Sequence, residues 1–294
     1  MENQPLVSVI MPVYNGAKTI KLALNSLINQ AYQNWICIIV NDGSTDNTKD
    51  ILDSLQDKRF RVIHLKKNVG RGAARQVALD HTEGDFLAYL DADDFYHTGK
   101  LQKQVEILSE NKAISLVGCR IFCFDSNYSP MSTRGSGLKQ PIPFKYGDIL
   151  RLVMPSAMIR LPDAKKCKYN SRLNAAEDVD YFSRYLNNKV YINIPDILLY
   201  YSVTESTTYR KILEYTGYEI LRGFTMLGRN NLAAIRTIFS TSAKWLLYAT
   251  AIPLTGINFF LNRRGKIPEM NEIECFEKQK LMNKLINVTN EKTL

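Results

Sequence analysis

Phe86-Leu87-Ala88-Tyr89-Leu90-Asp91-Ala92-Asp93-Asp94 is an apolar run that ends abruptly in three carboxylates, two of them spaced Asp-x-Asp. A strand that is apolar along its whole length is buried on both faces, and such strands present function at their carboxyl ends. Carboxylates clustered there repel one another unless a cation lies between them. Oxygen ligands of this kind suit Mg2+ or Mn2+, which also engage substrate phosphates. Asp94 or a neighbour would serve as well to cap a following helix, so the stretch alone leaves both readings open.

Working outward, short apolar runs alternate with amphipathic segments. Val7 to Val13, Trp35 to Val40, Arg61 to Leu65 and Asp85 to Leu90 read as strands. Between them lie helical segments at Ala17 to Gln30, Asn47 to Leu55 and Gly72 to Asp80; in the first, Ile20, Leu24, Leu27 and Ile28 recur at helical spacing. This alternation predicts an α/β chain with a mostly parallel sheet and helices on both faces. Lys100 to Glu110 reads as a helix and Ser115 to Phe124 as a strand. Asp125 to Pro143, rich in Ser, Gly and Pro, reads as a long surface loop. Shorter strands follow near Ala157 to Leu161, Val190 to Ile194 and Ile197 to Ser202, with a helix from Glu177 to Asn188 that turns Tyr181, Phe182, Tyr185 and Leu186 inward. From Tyr209 the pattern is helical to the end.

In an open parallel sheet the carboxyl ends of adjacent strands share one crevice. The first ends in Pro12-Val13-Tyr14-Asn15-Gly16, whose aromatic ring can stack on a base or simply pack. The second ends in Asn41-Asp42-Gly43-Ser44, an acceptor in a turn that also begins a helix. Asn68-Val69-Gly70-Arg71-Gly72 follows the third, where a cation and a helix N-terminus suit an anion. The fourth brings Asp91, Asp93 and Asp94. Together these describe a nucleoside-diphosphate site. The first strand-to-helix turn has no G-x-G-x-x-G, and no G-x-x-x-x-G-K-[ST] is present, so dinucleotide-fold and P-loop readings fall away.

The four motifs, Val7-Ser8-Val9-Ile10-Met11-Pro12-Val13-Tyr14-Asn15, Val40-Asn41-Asp42-Gly43-Ser44-Thr45-Asp46, the segment from Asn68 to Arg75, and Asp91-Ala92-Asp93-Asp94, together resemble a family 2 glycosyltransferase of the GT-A fold. The resemblance covers roughly residues 5 to 205. It implies inverting transfer of a sugar from a nucleotide-sugar, usually a UDP-sugar, with Mg2+ or Mn2+. By the family pattern Pro12, Val13, Tyr14, Asp42 and Arg71 contact the nucleoside, Asp91 lies near ribose and metal, and Asp93 binds the metal. Ala176-Glu177-Asp178 matches an acidic pair at the start of a later helix, which makes Asp178 the expected general base. Apart from the resemblance, such acids also complement a helix dipole. Inversion needs one base on the acceptor hydroxyl, while the metal and Arg71 stabilise the departing diphosphate.

Departures from the family pattern bear on the site. Many members place an Arg and then a His before a Ser/Thr pair. Tyr201-Ser202-Val203-Thr204-Glu205-Ser206-Thr207-Thr208 keeps hydroxyls and lacks both, so no His contact arises at Thr204. Gln76 stands where Asn is usual. The processive signature QxxRW is absent, which favours addition of a single sugar.

The 294 residues are 45% hydrophobic and 23% charged, an ordinary globular composition. Net charge is +9, and Tyr209 to Leu294 carries 13 Lys/Arg against 7 Glu. That local excess suits a membrane surface or an anionic lipid-linked substrate. No helix-turn-helix signature, RNP motif or Arg-rich tract points to nucleic acid. Trp245 to Leu261 has no charge but is interrupted by Pro253 and Gly256 and is short for a span. An interfacial broken helix, a buried hairpin and a true span all remain open for it. Cys37, Cys119, Cys123, Cys167 and Cys275 form no CxxC pair, and with no signal peptide in view they read as free thiols of a cytoplasmic protein.

The expectation is therefore a GT-A catalytic domain over 1–208 and a basic helical appendage over 209–294, the latter in peripheral contact with the inner face of the cytoplasmic membrane. The substrates expected are a nucleotide-sugar donor and a saccharide or lipid-linked acceptor of surface polysaccharide or glycolipid synthesis. The rivals are a nucleotidyltransferase, whose Gly-rich basic loop after the first strand is missing, and a catalytically degenerate nucleotide-sugar-binding or membrane-scaffold protein.

Overall fold

The computed structural model describes residues 4–148, 150, 152–170, 173, 175–203, 209–228, 231–255 and 265–285. Its core is a parallel unit built from β1 (Val7–Val13), α1 (Ile20–Ile28), β2 (Trp35–Asn41), α2 (Thr48–Asp53), β3 (Phe60–His64), α3 (Arg71–Asp80) and β4 (Phe86–Tyr89). Period-two alternation sorts the side chains of β2: Trp35, Cys37 and Ile39 enter the core under α1, while Ile36, Ile38 and Val40 enter the core under α3. Every residue of β2 is buried, as expected of a strand covered on both faces.

The second half supplies β5 (Phe95–Tyr96), α4 (Lys100–Glu110), β6 (Ile114–Phe124), β7 (Pro130–Arg134), β8 (Ile142–Phe144), β9 (Met158–Arg160), α5 (Leu161–Ala164), α6 (Glu177–Tyr185) and β10 (Lys189–Ser202). The sheet has ten strands in the order β3-β2-β1-β4-β9-β6-β10-β5, with β7 on β6 and β8 on β10. β9 joins β4 and β6 antiparallel, so the sheet is mixed.

Two expectations change here. Asp125 to Pro143 is not merely a surface loop, because β7 and β8 pair antiparallel with β6 and β10. Ser132 and Thr133 are buried in that hairpin-like return, and Thr133 exchanges two backbone hydrogen bonds with Lys266. A Ser/Gly/Pro-rich composition conceals such edge pairing. The two short strands expected near 190 and 197 are one strand, β10, with a register shift between Ile194 and Ile197. Pro195 lies within that shift and has no N–H to give the ladder.

Among the described residues beyond 208, the helices are α7 (Tyr209–Thr225), α8 (Asn231–Thr255) and α9 (Met270–Leu285). α7 and α8 pack together, whereas α9 returns to the sheet and lies against α1. Phe276 of α9 stacks on Phe122 with ring centroids 4.7 Å apart, and Asn29 donates to Asn283 at 2.8 Å. Pro253 does not end α8. The carbonyl it leaves without a helical donor is that of Ala249, which accepts instead from the Tyr209 hydroxyl at 3.0 Å. Residues 256–261 of the uncharged segment lie outside the described residues. Among those described, no helix is long and apolar enough to cross a membrane.

Lys100 is fully buried, donates to Gln104 Oε1 at 2.8 Å and lies 4.0 Å from the centre of the Tyr96 ring. Burial lowers its pKa to about 8. Between that value and the unfolded pKa near 10.4, the unfolded chain holds a proton that the native chain has released, so this group makes stability rise with pH across the window. The span corresponds to a change on the order of 3 kcal/mol. Denaturant melts of wild type and Lys100→Met should show the difference moving in favour of wild type from pH 8 to 10.5. A difference that stays flat would mean Lys100 titrates normally.

Candidate active site

β1, β2 and β4 are parallel neighbours, so their carboxyl ends open on one edge. The turn after β1 is fastened to the turn after β2: Asn15 N–H donates to Ser44 Oγ at 2.9 Å and Thr45 N–H donates to Asn15 Oδ1 at 2.8 Å. Asn15 takes a left-handed φ of 53° to do this, a conformation Asn tolerates. Val13 is buried and its carbonyl accepts the Asp42 N–H at 2.8 Å. Pro12 pairs with Val40. Tyr14 is 50% exposed, so its ring is not core packing.

Asp42 is buried, and its two oxygens accept the N–H groups of Val69 (2.7 Å) and Gly70 (3.0 Å). The carboxylate thus holds the loop that delivers α3, and it retains lone pairs for another donor. Gly43 has φ +67°, and a Cβ there would meet the Lys67 carbonyl carbon at 2.5 Å. Only glycine fits that crossing.

α3 presents two cations one turn apart. Arg71 is half exposed, with Nε 3.7 Å from Glu177 Oε1. Arg75 is buried and forks between Asp91 Oδ1 and Glu177 Oε1, each at 2.9 Å. Burial alone would raise the Asp91 pKa, but the Arg75 and Arg71 guanidinium groups reverse this and hold it below the usual range. Burial, reinforced by adjacent Asp178, pushes Glu177 above its usual range against the pull of the same cations. Arg75 and Glu177 form the hub of the site and went unassigned in the sequence. The signal was there, since Arg75 follows Arg71 by four residues on one helix face.

Asp94 does not cap α4, whose N-cap is Gly99. It is buried, and Oδ1 accepts the Ser202 N–H at 2.8 Å, tying the Asp-x-Asp turn to the end of β10. Burial, with Asp93 and Asp91 nearby, raises its pKa well above the carboxylate range. Asp94 Oδ2 is buried without a hydrogen-bond partner among the described residues. An orphaned oxygen in a three-carboxylate turn fits a hard divalent cation. Among the described residues no three His, Cys, Asp or Glu converge to hold a metal unaided. Asp93 with Asp91 would supply a few protein oxygens, and substrate phosphates the remainder.

The acidic pair opens α6. Its N-cap, Ala176, has a left-handed φ of 59°, a strained value for a residue with a Cβ. Asp178 Oδ1 accepts the Val179 N–H at 2.8 Å. Asp178, Glu177, Arg71, Arg75, Asp91 and Tyr201 line one end of a cavity of about 750 Å3. The cavity runs on to α7 and α8, which wall its far end. Gln76 accepts the Tyr169 N–H at 2.8 Å and donates to Asp80 at 2.7 Å, so it braces the approach to α6. Thr204 to Thr208 lie outside the described residues.

A mixed sheet with an Asp-x-Asp turn after β4 and helices on both faces is the GT-A architecture of sugar transferases. Residues 8–165 match the family described as Glycosyl transferase family 2, and the chain belongs to that family. An uncharacterized glycosyltransferase of Haemophilus influenzae is 32% identical over 185 residues, 60% of this chain and 74% of that protein. The putative teichuronic acid biosynthesis glycosyltransferase TuaG of Bacillus subtilis is 37% identical over 155 residues, 50% of this chain and 58% of TuaG. WfgD of Escherichia coli, a UDP-Glc:alpha-D-GlcNAc-diphosphoundecaprenol beta-1,3-glucosyltransferase, is 34% identical over 113 residues, 38% of this chain and 45% of WfgD. Among solved structures, S. aureus TarS in complex with UDP superposes with a TM-score of 0.62 at 22% identity, covering 85% of this chain and 73% of that one. Mannosyltransferase PcManGT from Pyrobaculum calidifontis, with GDP-Man and Mn2+, gives 0.58 at 15% identity over 97% and 87%.

Proposed function

We propose that the chain is an inverting, metal-dependent glycosyltransferase that moves a single sugar from a UDP-sugar to a hydroxyl of a saccharide or lipid-linked acceptor. The process is surface polysaccharide or glycolipid synthesis on the inner face of the cytoplasmic membrane. The observation that carries this reading is the cavity end where Asp178 stands beside Arg71 and Asp91. A base and a diphosphate-facing cation there share one space with room for an acceptor.

In this reading Tyr14 stacks on the base, Pro12 and Val13 form the floor beneath the nucleoside, and Asp42 accepts from the base while it keeps its loop. Asp93, with Asp91 at the ribose side, would hold Mg2+ or Mn2+, which supplies charge neutralisation of the diphosphate when bound. Arg71 pairs with the departing phosphate oxygens. Asp178 takes the acceptor proton as the hydroxyl attacks the anomeric carbon. Glu177 is unsuited to that role because Arg75 occupies it. TuaG, WfgD and the UDP complex of TarS support the donor and pathway class.

UDP with Mn2+ should stabilise the protein against heat, by about 2.7 kcal/mol at a hundredfold excess over Kd. Asp93→Ala should remove the Mn2+-dependent part of the gain. A thermal shift identical with and without metal in wild type would contradict the metal assignment.

A further inference from the structure

α8 lines the cavity with polar side chains and exposes large apolar ones on another side. Thr237, Ser240, Thr241, Lys244 and Tyr248 recur at the spacing of one helix face, and all five line the cavity. Four large apolar side chains lie on the opposite side: Leu232, Phe239 and Leu246 are 81%, 74% and 61% exposed and Ile235 is 48% exposed, while Ala234 and Ile252 are buried. A helix in water buries its apolar stripe and solvates the other. The outer face of α8 therefore needs an apolar cover. Charge says which cover fits. From residue 220 to 268 the sequence has no Asp or Glu, while seven residues are Lys or Arg. An apolar face with the exposed Arg236 beside it, in a stretch free of carboxylates, matches an anionic lipid surface.

The inner stripe offers hydroxyls and one ammonium to whatever enters the cavity. Arg222 on the same wall is committed to Glu219 at 2.8 Å, and Asp148 accepts the Lys145 N–H at 2.8 Å. Lys244 is exposed to the cavity. We propose that the polar stripe of α8, centred on Lys244, holds the phosphate of a lipid-linked acceptor whose chain enters the bilayer covering the outer face. This rests on the reading of the chain as a sugar transferase and adds its acceptor-phosphate site.

The test is binding of a water-soluble C15 prenyl diphosphate with UDP and Mg2+ at saturation, so that the donor site is already filled. Isothermal titration and Trp245 fluorescence both report it, since Trp245 adjoins Lys244 and Trp35, the other tryptophan, is buried. Lys244→Gln should weaken binding roughly tenfold, the range of one charge-assisted hydrogen bond. It should leave the affinity for the C15 prenyl alcohol unchanged, and Lys244→Arg should restore binding. Equal affinity in Lys244→Gln, or an equal loss for the alcohol, overturns the site. UDP binding without any prenyl diphosphate binding in wild type overturns this inference alone. Failure to bind UDP overturns the transferase reading beneath it.

Discussion

Asp178→Asn is expected to lower sugar transfer roughly a hundred- to ten-thousandfold, the range for removing a general base. UDP-sugar affinity and thermal stability should stay close to wild type. The hydrogen bond that Asp178 accepts from the Val179 N–H at 2.8 Å can be kept by the Asn oxygen. The side chain borders the cavity rather than the core, so the substitution leaves packing intact. Among the described residues, Glu177 is buried and bound to Arg75 and Asp91 is bound to the same guanidinium, so neither is placed to take over the role proposed for Asp178. Steady-state kinetics should therefore show a fall in kcat with donor KM little changed. Full activity in the variant would move the base elsewhere and leave Asp178 as a helix-terminal acid.

The second large effect is on stability. Arg75→Met should cost about 3–5 kcal/mol, the range for breaking a buried ion pair by removing one partner. Arg75 is 3% exposed and is the shared counter-charge of Asp91 and Glu177. Its loss leaves two carboxylates facing each other beside Asp178, in a site where burial already raises Glu177. In a protein whose total stability is about 5–15 kcal/mol, that is a large fraction. Arg75→Lys should fall between, because one ammonium cannot reproduce the two-pronged geometry. Glu177→Gln added to Arg75→Met should recover part of the loss, since the two residues touch and their effects are not additive. Urea melts of the four proteins decide the matter. A loss below about 1 kcal/mol in Arg75→Met would mean that the carboxylates are already neutral in the native state.

The parallel half of the fold was legible because its strands are apolar throughout and its helices carry a clear period, as in Trp35 to Val40 and Ile20 to Ile28. The strand ends were legible for the same reason, since strand order fixes what lies on one edge. What escaped the sequence depends on contacts made far along the chain. β7 is held by Lys266, Asp94 by Ser202, and α9 by Phe122 and Asn29. None of these partners leaves a local periodic trace. The Arg71/Arg75 spacing puts both cations on one helix face, but only the folded sheet brings Asp91 and Glu177 to either side of Arg75. By charge the region after 208 reads as one basic appendage. In the structure α7 and α8 wall the cavity while α9 joins the catalytic core, a division that charge counts do not register.

Inversion at the anomeric carbon, with Asp178 as base and Mg2+ or Mn2+ on the diphosphate, is what we propose for this site. Proton NMR of the sugar released slowly to water from an α-linked UDP-sugar, with Mn2+ and no acceptor, tests it most directly. The β-anomer should appear first and equilibrate afterwards by mutarotation, with release falling sharply in Asp178→Asn. The α-anomer appearing first would contradict it.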